Sequence, residues 1–352
     1  MRVLIVKRDK LGDLLLTTPV IAHLAQSLPG VELHLLANDY NAWVARDHPA
    51  LARTWVYPRV RRAGRLHLRS LAAQAAVALA LVRARFDVAI VMGGDESPRA
   101  IARAGWTRAR RVVAYAADAR RHGPRLTDAL PVPLEGHEIE RMLGLCAPLG
   151  VAPPAVLPHP QYRLPQAGVA FAHRWLAAHG LAPGRYVVIG LGARRAKKQP
   201  STAQILAWSS RLHEAHGLAT VLMWTPGPGD QPGYPGDDAI VAPVLARALP
   251  FVHPFRGPIP EAIALLFHAH TSIVPDSGLM HFAAASPGGV LGLFADPADS
   301  APAARWAPRG PRALHVEAAR RIADLDDEAV FAVLAPLLAA APAASVQCAA
   351  LP

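Results

Sequence analysis

Cysteine is almost absent. The 352 residues include two, Cys146 and Cys348, too few for a disulfide framework or a zinc ribbon, and a reducing compartment is the natural reading. Aromatic residues make up 6% of the chain. Neither an aromatic-rich basic strand nor a recognition-helix pattern is present, which argues against nucleic acid as a partner. Long hydrophobic runs are missing too. Leu71–Val82 is apolar but stops at Arg83, too short to span a bilayer. Ala329–Ala344 is interrupted by Pro336 and Pro342 and reads as a surface helix with a loose tail. Val3–Val6 is too short for the apolar core of a secretory signal before Lys7, so the expected location is the cytoplasm. Acid falls well short of base in the first part of the chain. Residues 1–150 hold 22 Lys and Arg against 13 Asp and Glu, and the remainder holds 15 against 13. A basic half beside a near-neutral half suits a partner that carries phosphates or carboxylates on one side; an arginine-rich solvated surface is the plainer alternative.

What is present is a repeated alternation of apolar strands and helices. Val3–Val6, Val31–Leu36, Asp87–Val91 and Arg111–Ala114 read as strands of a first parallel sheet, with helices near Asp13–Ser27, Leu68–Arg85 and His137–Leu149. Prolines at 153, 154, 158, 160 and 165 fit neither helix nor central strand and place a domain boundary there. The pattern then restarts, with strands at Tyr186–Leu191, Ala219–Trp224, Thr271–Val274 and Val290–Phe294. Helices are expected at Ser201–His216, Ile259–His270 and Ser277–Ala285. The fold class is α/β: two Rossmann-like, doubly wound parallel-sheet domains in tandem, which share one cleft if they face one another. They are expected at 1–160 and 161–321, and a helix near Ile322–Leu338 with a tail to 352 is expected to pack back across the join.

In such sheets ligands bind beyond the carboxyl ends of the strands. Three loops are expected there. The first, Lys7–Asp13, leads into a helix that begins at Asp13 or at Thr18-Pro19; Asp13 taken alone reads as a helix cap. Its one glycine, Gly12, is too few for a dinucleotide fingerprint. The second, Gly192-Ala193-Arg194-Arg195-Ala196-Lys197-Lys198-Gln199-Pro200, carries four cations that would stabilise a developing diphosphate charge. The third is Pro275-Asp276-Ser277-Gly278-Leu279-Met280-His281. A helix start near Ser277 directs free N–H groups outward, Gly278 permits close approach, and His281 adds a donor one turn in. An ordinary cap and a solvated basic loop are the plainer readings of these last two.

Lys7 with Leu11-Gly12-Asp13 and Thr18-Pro19, Lys197 before Pro200, and Asp276 to His281 with Ala283–Ala285 together resemble glycosyltransferase family 9, the lipopolysaccharide heptosyltransferases. His137 with Glu140-Arg141 is similar to the family's H-x-x-E-R helix. The resemblance covers about residues 1–320 and implies a GT-B fold with an active site between its domains. It implies an inverting, metal-independent transfer from a nucleotide sugar, typically ADP-heptose, with no cofactor. Asp13 matches the general base and Lys197 the lysine that meets the donor diphosphate, with Lys198 as the adjacent competitor. Gly192, Ala193, Lys198, Asp230, Asp276, Ser277, Gly278 and His281 fall on the donor side, with Asp276 on sugar hydroxyls or loop support. Lys7, Gly12, Arg59, Arg61, Arg62, Arg65 and Arg120 fall on the acceptor side. The expected acceptor is an anionic glycolipid, met by transient contact with the cytoplasmic face of the inner membrane. The family's Lys-x-Trp-Pro is here Lys197-Lys198-Gln199-Pro200, so the tryptophan is gone. Its glycine-rich nucleotide loop is here Thr225-Pro226-Gly227-Pro228-Gly229-Asp230. A nucleotide-sugar epimerase on the same fold and a non-catalytic nucleotide-sugar binder are the alternatives.

Overall fold

In a computed structural model of the chain the described residues are 1–62, 65–193, 195–231, 235–298 and 302–340, with the backbone alone described at 61, 62, 65 and 66. Arg194, Cys348, the tail beyond 340 and the side chains of Arg61, Arg62 and Arg65 lie outside the described residues. The chain divides into two compact units, Met1–Gln161 and Tyr162–Pro352. The division falls within the proline-rich stretch.

The first unit is built on strands β1 (Arg2–Val6), β2 (Glu32–Asn38), β3 (Leu51–Tyr57), β4 (Val88–Val91), β5 (Arg111–Tyr115) and β6 (Asp128–Leu130). They form one sheet in the order β3-β2-β1-β4-β5-β6, and every pairing is parallel. Val3 faces Leu33 on one side and Val88 on the other, so β1 is central and covered on both faces, as its unbroken apolar run requires. β2 is likewise buried from Leu33 onward, although its sequence alternates. His34 is admitted to the interior because Glu32 and the Trp55 indole N–H satisfy its two ring nitrogens, at 2.9 and 3.2 Å.

The second unit repeats the plan with β7 (Tyr186–Gly190), β8 (Ala219–Met223), β9 (Val252–Phe255), β10 (Thr271–Pro275), β11 (Val290–Phe294) and β12 (Ala313–Glu317). Their order is β9-β8-β7-β10-β11-β12. In each sheet the order reverses direction beside the first strand, and that switch point opens a crevice at the strands' carboxyl ends.

Several expectations are corrected. The basic segment after Ala50 begins as an edge strand, β3, with Trp55 and Tyr57 turned inward and Arg53 and Val56 outward. The hairpin Arg61–Arg62/Arg65–Leu66 follows it. The first helix is two: α1 (Leu11–Leu15), which starts two residues ahead of Asp13, and α2 (Thr18–Ser27), which starts at the second expected place. α3 spans Leu68–Ala84 and α4 spans Pro98–Ala104. The helix after His137 is shorter than expected; α5 covers Glu138–Gly144 and a separate 3-10 turn covers Ala147–Leu149. In the second unit come α6 (Gln166–Ala178), α7 (Thr202–His216), α8 (Asp238–Leu245), α9 (Ile259–His268), α10 (Gly278–Ala284), α11 (Ala303–Trp306) and α12 (Asp327–Ala339).

α12 is no loose surface helix. Val330, Phe331, Leu334, Leu337 and Leu338 are buried in the second unit's core with Trp208 and Leu212 of α7. The Trp208 indole N–H donates to Asp327 at 2.6 Å, and the Gln204 amide donates to the carbonyls of Ile322 and Leu325. Pro336 lies inside the helix. Among the described residues no helix is long and apolar enough to cross a membrane.

Candidate active site

In the first unit the Lys7–Asp13 loop leaves β1 at the switch point. Two buried amides hold it. Asn38 donates to the Arg8 carbonyl at 2.7 Å and Asn41 to the Asp9 carbonyl at 2.9 Å. The Asn38 side-chain oxygen in turn accepts from the N–H groups of Tyr40 and Asn41. Lys7 is 1% exposed, with its ammonium 3.3 Å from Asp9 and 3.8 Å from the Met142 sulfur. It lies under the loop. Gly12 is buried in the first turn of α1.

Asp13 is the third residue of α1, and its Oδ2 accepts the Lys10 backbone N–H at 2.9 Å. The capping role is therefore present, from inside the first turn rather than ahead of it. One oxygen suffices for it, and the carboxylate is half-buried, so Oδ1 is left to meet a second donor.

The loop after β4 comes to the same place. A side chain at Gly93 would approach the Asp9 carboxylate, at 4.0 Å. Gly94 donates its N–H to Glu138 at 2.9 Å, and a Cβ there would lie 2.4 Å from that carboxylate and 2.9 Å from the Arg141 side chain. Only glycine fits. Arg141 ties the surrounding chain by bonding the carbonyls of Leu134 and Gly136 at 2.8 and 3.2 Å, and it pairs with Asp95 at 3.4 Å. His137 and Glu140 close a reciprocal cap on α5. The H-x-x-E-R helix thus works as a brace on the switch-point loop.

Two of the arginines expected on the acceptor side, Arg59 and Arg120, lie among the residues whose side chains are described. Arg59, just past β3, pairs with Asp39 at 2.8 Å and lies over the Tyr40 ring at 4.9 Å. The Arg120 side chain is 94% exposed and sits 3.3 Å from Asp118. A cavity of about 510 Å3 opens on the flank near α4, lined by Ile101, Val112, Arg121, His122 and Arg125 among others; the Lys7–Asp13 loop is not among its walls.

In the second unit three loops converge at the switch point between β7 and β10. Gly192, at φ +96°, turns the chain in the left-handed region and leaves 3.2 Å between a built Cβ and the Thr225 hydroxyl. Lys197 and Lys198 sit on a short 3-10 turn, in different surroundings. Lys198 forms an ion pair with Asp276, each side chain 12% exposed. The Lys197 ammonium is shut off from solvent. Asp276 thus meets a lysine and does not stand alone against a phosphate site. The Ser277 hydroxyl is buried without a hydrogen-bond partner among the described residues, at the residue before α10. Gly278 is exposed, and His281 is 4% exposed inside α10.

Two acids without a sequence signature lock the loop after β8, Thr225–Asp230. Asp237 accepts from the Gln199 amide and, at 2.8 Å, from the Thr225 backbone N–H. Asp238 accepts from the Trp224 indole and the Gly227 N–H at 2.8 and 2.9 Å. Gln199 also donates to the Ala193 carbonyl at 3.3 Å, joining the basic loop to the loop that carries Asp230, which is itself exposed. Among the described residues no group of three His, Cys, Asp or Glu side chains is placed to hold a metal ion.

Burial pushes the Asp237 carboxyl up to about 6, against the pull of hydrogen bonds from the Thr225 and Gly192 backbone. The folded state therefore binds this proton more tightly than the unfolded one. The resulting stabilisation is full below the ordinary value of 3.8 and is lost as pH rises through about 6. Two pKa units correspond to roughly 3 kcal/mol. Urea unfolding of wild type and Asp237→Asn between pH 4 and pH 7 should show the wild type losing stability relative to the variant as pH rises. Parallel curves would remove Asp237 from this role.

Two doubly wound parallel sheets with their loops gathered at the switch points are those of a GT-B glycosyltransferase, and the architecture matches solved heptosyltransferases. The chain belongs to glycosyltransferase family 9, the heptosyltransferase family, whose model matches residues 74–331. A family 9 glycosyltransferase from Veillonella parvula is 17% identical, with 96% of this chain and 97% of that one covered, at a TM-score of 0.79. The Escherichia coli heptosyltransferase WaaC with ADP is 20% identical over 96% and 100%, at 0.73. The E. coli ADP-heptose lipopolysaccharide heptosyltransferase II is 16% identical over 96% and 98%, at 0.71. A search of curated proteins returned no match.

Proposed function

We propose that this glycosyltransferase moves heptose from ADP-heptose, with inversion and without a metal, onto an acidic lipid-linked glycan at the cytoplasmic face of the inner membrane. The observation that carries the donor half is the convergence in the second unit. Lys197, the Lys198–Asp276 pair and the buried Ser277 hydroxyl meet where a doubly wound sheet takes its ligand. Solved relatives of this fold hold ADP or a fluorinated ADP-heptose, which supports the same class of donor here.

In the proposed reaction the acceptor oxygen forms its bond to the anomeric carbon as the bond to the diphosphate breaks on the opposite side. Asp13 takes the hydroxyl proton. Lys197, with the Ser277 hydroxyl and the neighbouring N–H groups, balances the charge that accumulates on the departing diphosphate. Lys198 holds Asp276 in place, and Asp276 is left to meet the sugar hydroxyls. Asp230 is assigned to the ribose. Lys7 acts from beneath, fixing Asp9 and the loop that presents Asp13. Arg59, Arg61, Arg62, Arg65 and Arg120 supply positive charge toward the acceptor's phosphates and carboxylates.

A thermal-shift comparison of nucleotide sugars tests the donor. ADP-heptose and ADP should raise Tm, since a ligand at 100 times its Kd stabilises by about 2.7 kcal/mol. A rise with uridine sugars and none with ADP would overturn the assignment.

A further inference from the structure

Helix α3 packs Leu81, Val77, Ala80 and Ala84 against the first unit's core and carries a second apolar side that faces water. Its buried residues are Ser70, Gln74 and Leu81, and the Gln74 amide is anchored on the Pro58 carbonyl at 2.7 Å. Leu68, Leu71 and Leu79 are 70%, 47% and 51% exposed. At 3.6 residues per turn these three leucines fall on one side of the helix together with Ala72, Ala75 and Ala76, opposite Ser70 and Gln74. The unit's core does not use that side.

The sequence around the helix is basic. Between Asp47 and Asp87 the sequence holds eight arginines and no acidic residue. Arg69 and Arg83 on α3, and Arg85 just past it, are exposed, and the hairpin Arg61–Arg62/Arg65–Leu66 leads straight into the helix. A second copy of this chain would bring arginines against arginines. An anionic lipid surface offers the opposite charge and an apolar layer beneath it.

We infer that α3 is a membrane-docking helix, lying in the plane of an anionic bilayer with its leucine side in the boundary between headgroups and acyl chains. Arg69, Arg83 and Arg85 meet the lipid phosphates. Its second turn is tied to the carboxyl end of β3, where the Gln74 amide donates to the carbonyl of Pro58, the residue after Tyr57, at 2.7 Å. Docking through its first turns therefore brings the sheet's carboxyl end toward the lipid surface, where a lipid-linked acceptor emerges. This deepens the proposed function by naming the surface used, and it rests on that reading only for the acceptor.

Vesicle sedimentation tests it without any sugar. Wild type should pellet with phosphatidylethanolamine–phosphatidylglycerol vesicles and not with phosphatidylcholine vesicles, and added salt should weaken the binding. Leu71→Glu/Leu79→Glu should lower the partition at least tenfold while Tm and transfer to a delipidated, water-soluble acceptor stay at wild-type values. Leu68→Trp provides a second readout that does not depend on the double variant folding, since its added emission should shift to the blue on the anionic vesicles. Equal pelleting of wild type and double variant, or no shift from the tryptophan, overturns the inference. So does a dimer in sedimentation velocity that the double variant converts to monomer, because the face would then join two copies. Intact vesicle binding by a chain that transfers no sugar would defeat the proposed function and leave this inference standing.

Discussion

Asp13→Asn should lower kcat by about 10²–10⁴-fold, the usual range for loss of a general base, with little change in the affinity for the nucleotide sugar. The substitution separates the two roles of this residue. An asparagine oxygen can still accept the Lys10 N–H that Asp13 accepts at 2.9 Å, so the first turn of α1 keeps its cap while the base is gone. Asp13→Ala removes both, and should add a stability loss of about 0.5–2 kcal/mol, the range for a lost cap. Steady-state kinetics with circular dichroism on the two variants reads the effects apart. If Asp13→Asn turns over like wild type while Asp13→Ala is only less stable, Asp13 is a cap and nothing more.

The second large effect is expected at Lys198. Lysine at 197 and at 198 would serve a diphosphate equally well on charge alone, but the structure gives Lys198 a fixed partner in Asp276. Lys198→Ala leaves that carboxylate nearly buried and uncompensated, a change that costs about 3–5 kcal/mol in buried pairs, and leaves it beside the proposed diphosphate. ADP affinity should fall by about 100-fold or more. Lys198→Ala/Asp276→Asn removes the orphaned charge and should recover much of that loss. Lys197→Ala should weaken ADP binding directly, and the bare nucleoside should be less affected. Isothermal titration with ADP of wild type, Lys198→Ala, Asp276→Asn and Lys198→Ala/Asp276→Asn gives the coupling between 198 and 276. Strictly additive losses would mean that Lys198 meets the nucleotide itself and that Asp276 is a bystander.

The strands that the sequence revealed are the ones buried on both faces. β1, β4 and β5, then β7, β8, β10 and β11, are each read from an apolar run, and β2 from an alternation. The four that were not read, β3, β6, β9 and β12, are the edges of the two sheets. An edge strand is covered incompletely, and its apolar signal is diluted accordingly: β12 has no fully buried residue, and β9 contains a proline that an edge tolerates. The site divides in a similar way. Loops that leave central strands carry local signatures, such as the glycine and acid of Gly12-Asp13 or the run from Asp276 to His281. The groups that brace those loops carry none. Glu138 is 44 residues from the Gly94 N–H that it accepts, and Gln199 is 38 residues from Asp237. Asn38 and Asn41 look like turn residues until the fold brings the Arg8 and Asp9 carbonyls to their amides. Their partners are set by topology, which a local pattern does not contain. The outward leucines of α3 show the opposite failure. The apolar run was legible, but only the packing tells which side of it faces the core.

Product analysis tests the central claim most directly. Purified chain is incubated with ADP-heptose and an acidic, lipid-linked core glycan, and the acceptor and the nucleotide are both followed by mass spectrometry. The account predicts an acceptor heavier by one heptose for each ADP released, with the linkage inverted at the anomeric carbon and no product when the acceptor is omitted. An altered nucleotide sugar formed without any acceptor, or bound donor that is never turned over, would contradict it.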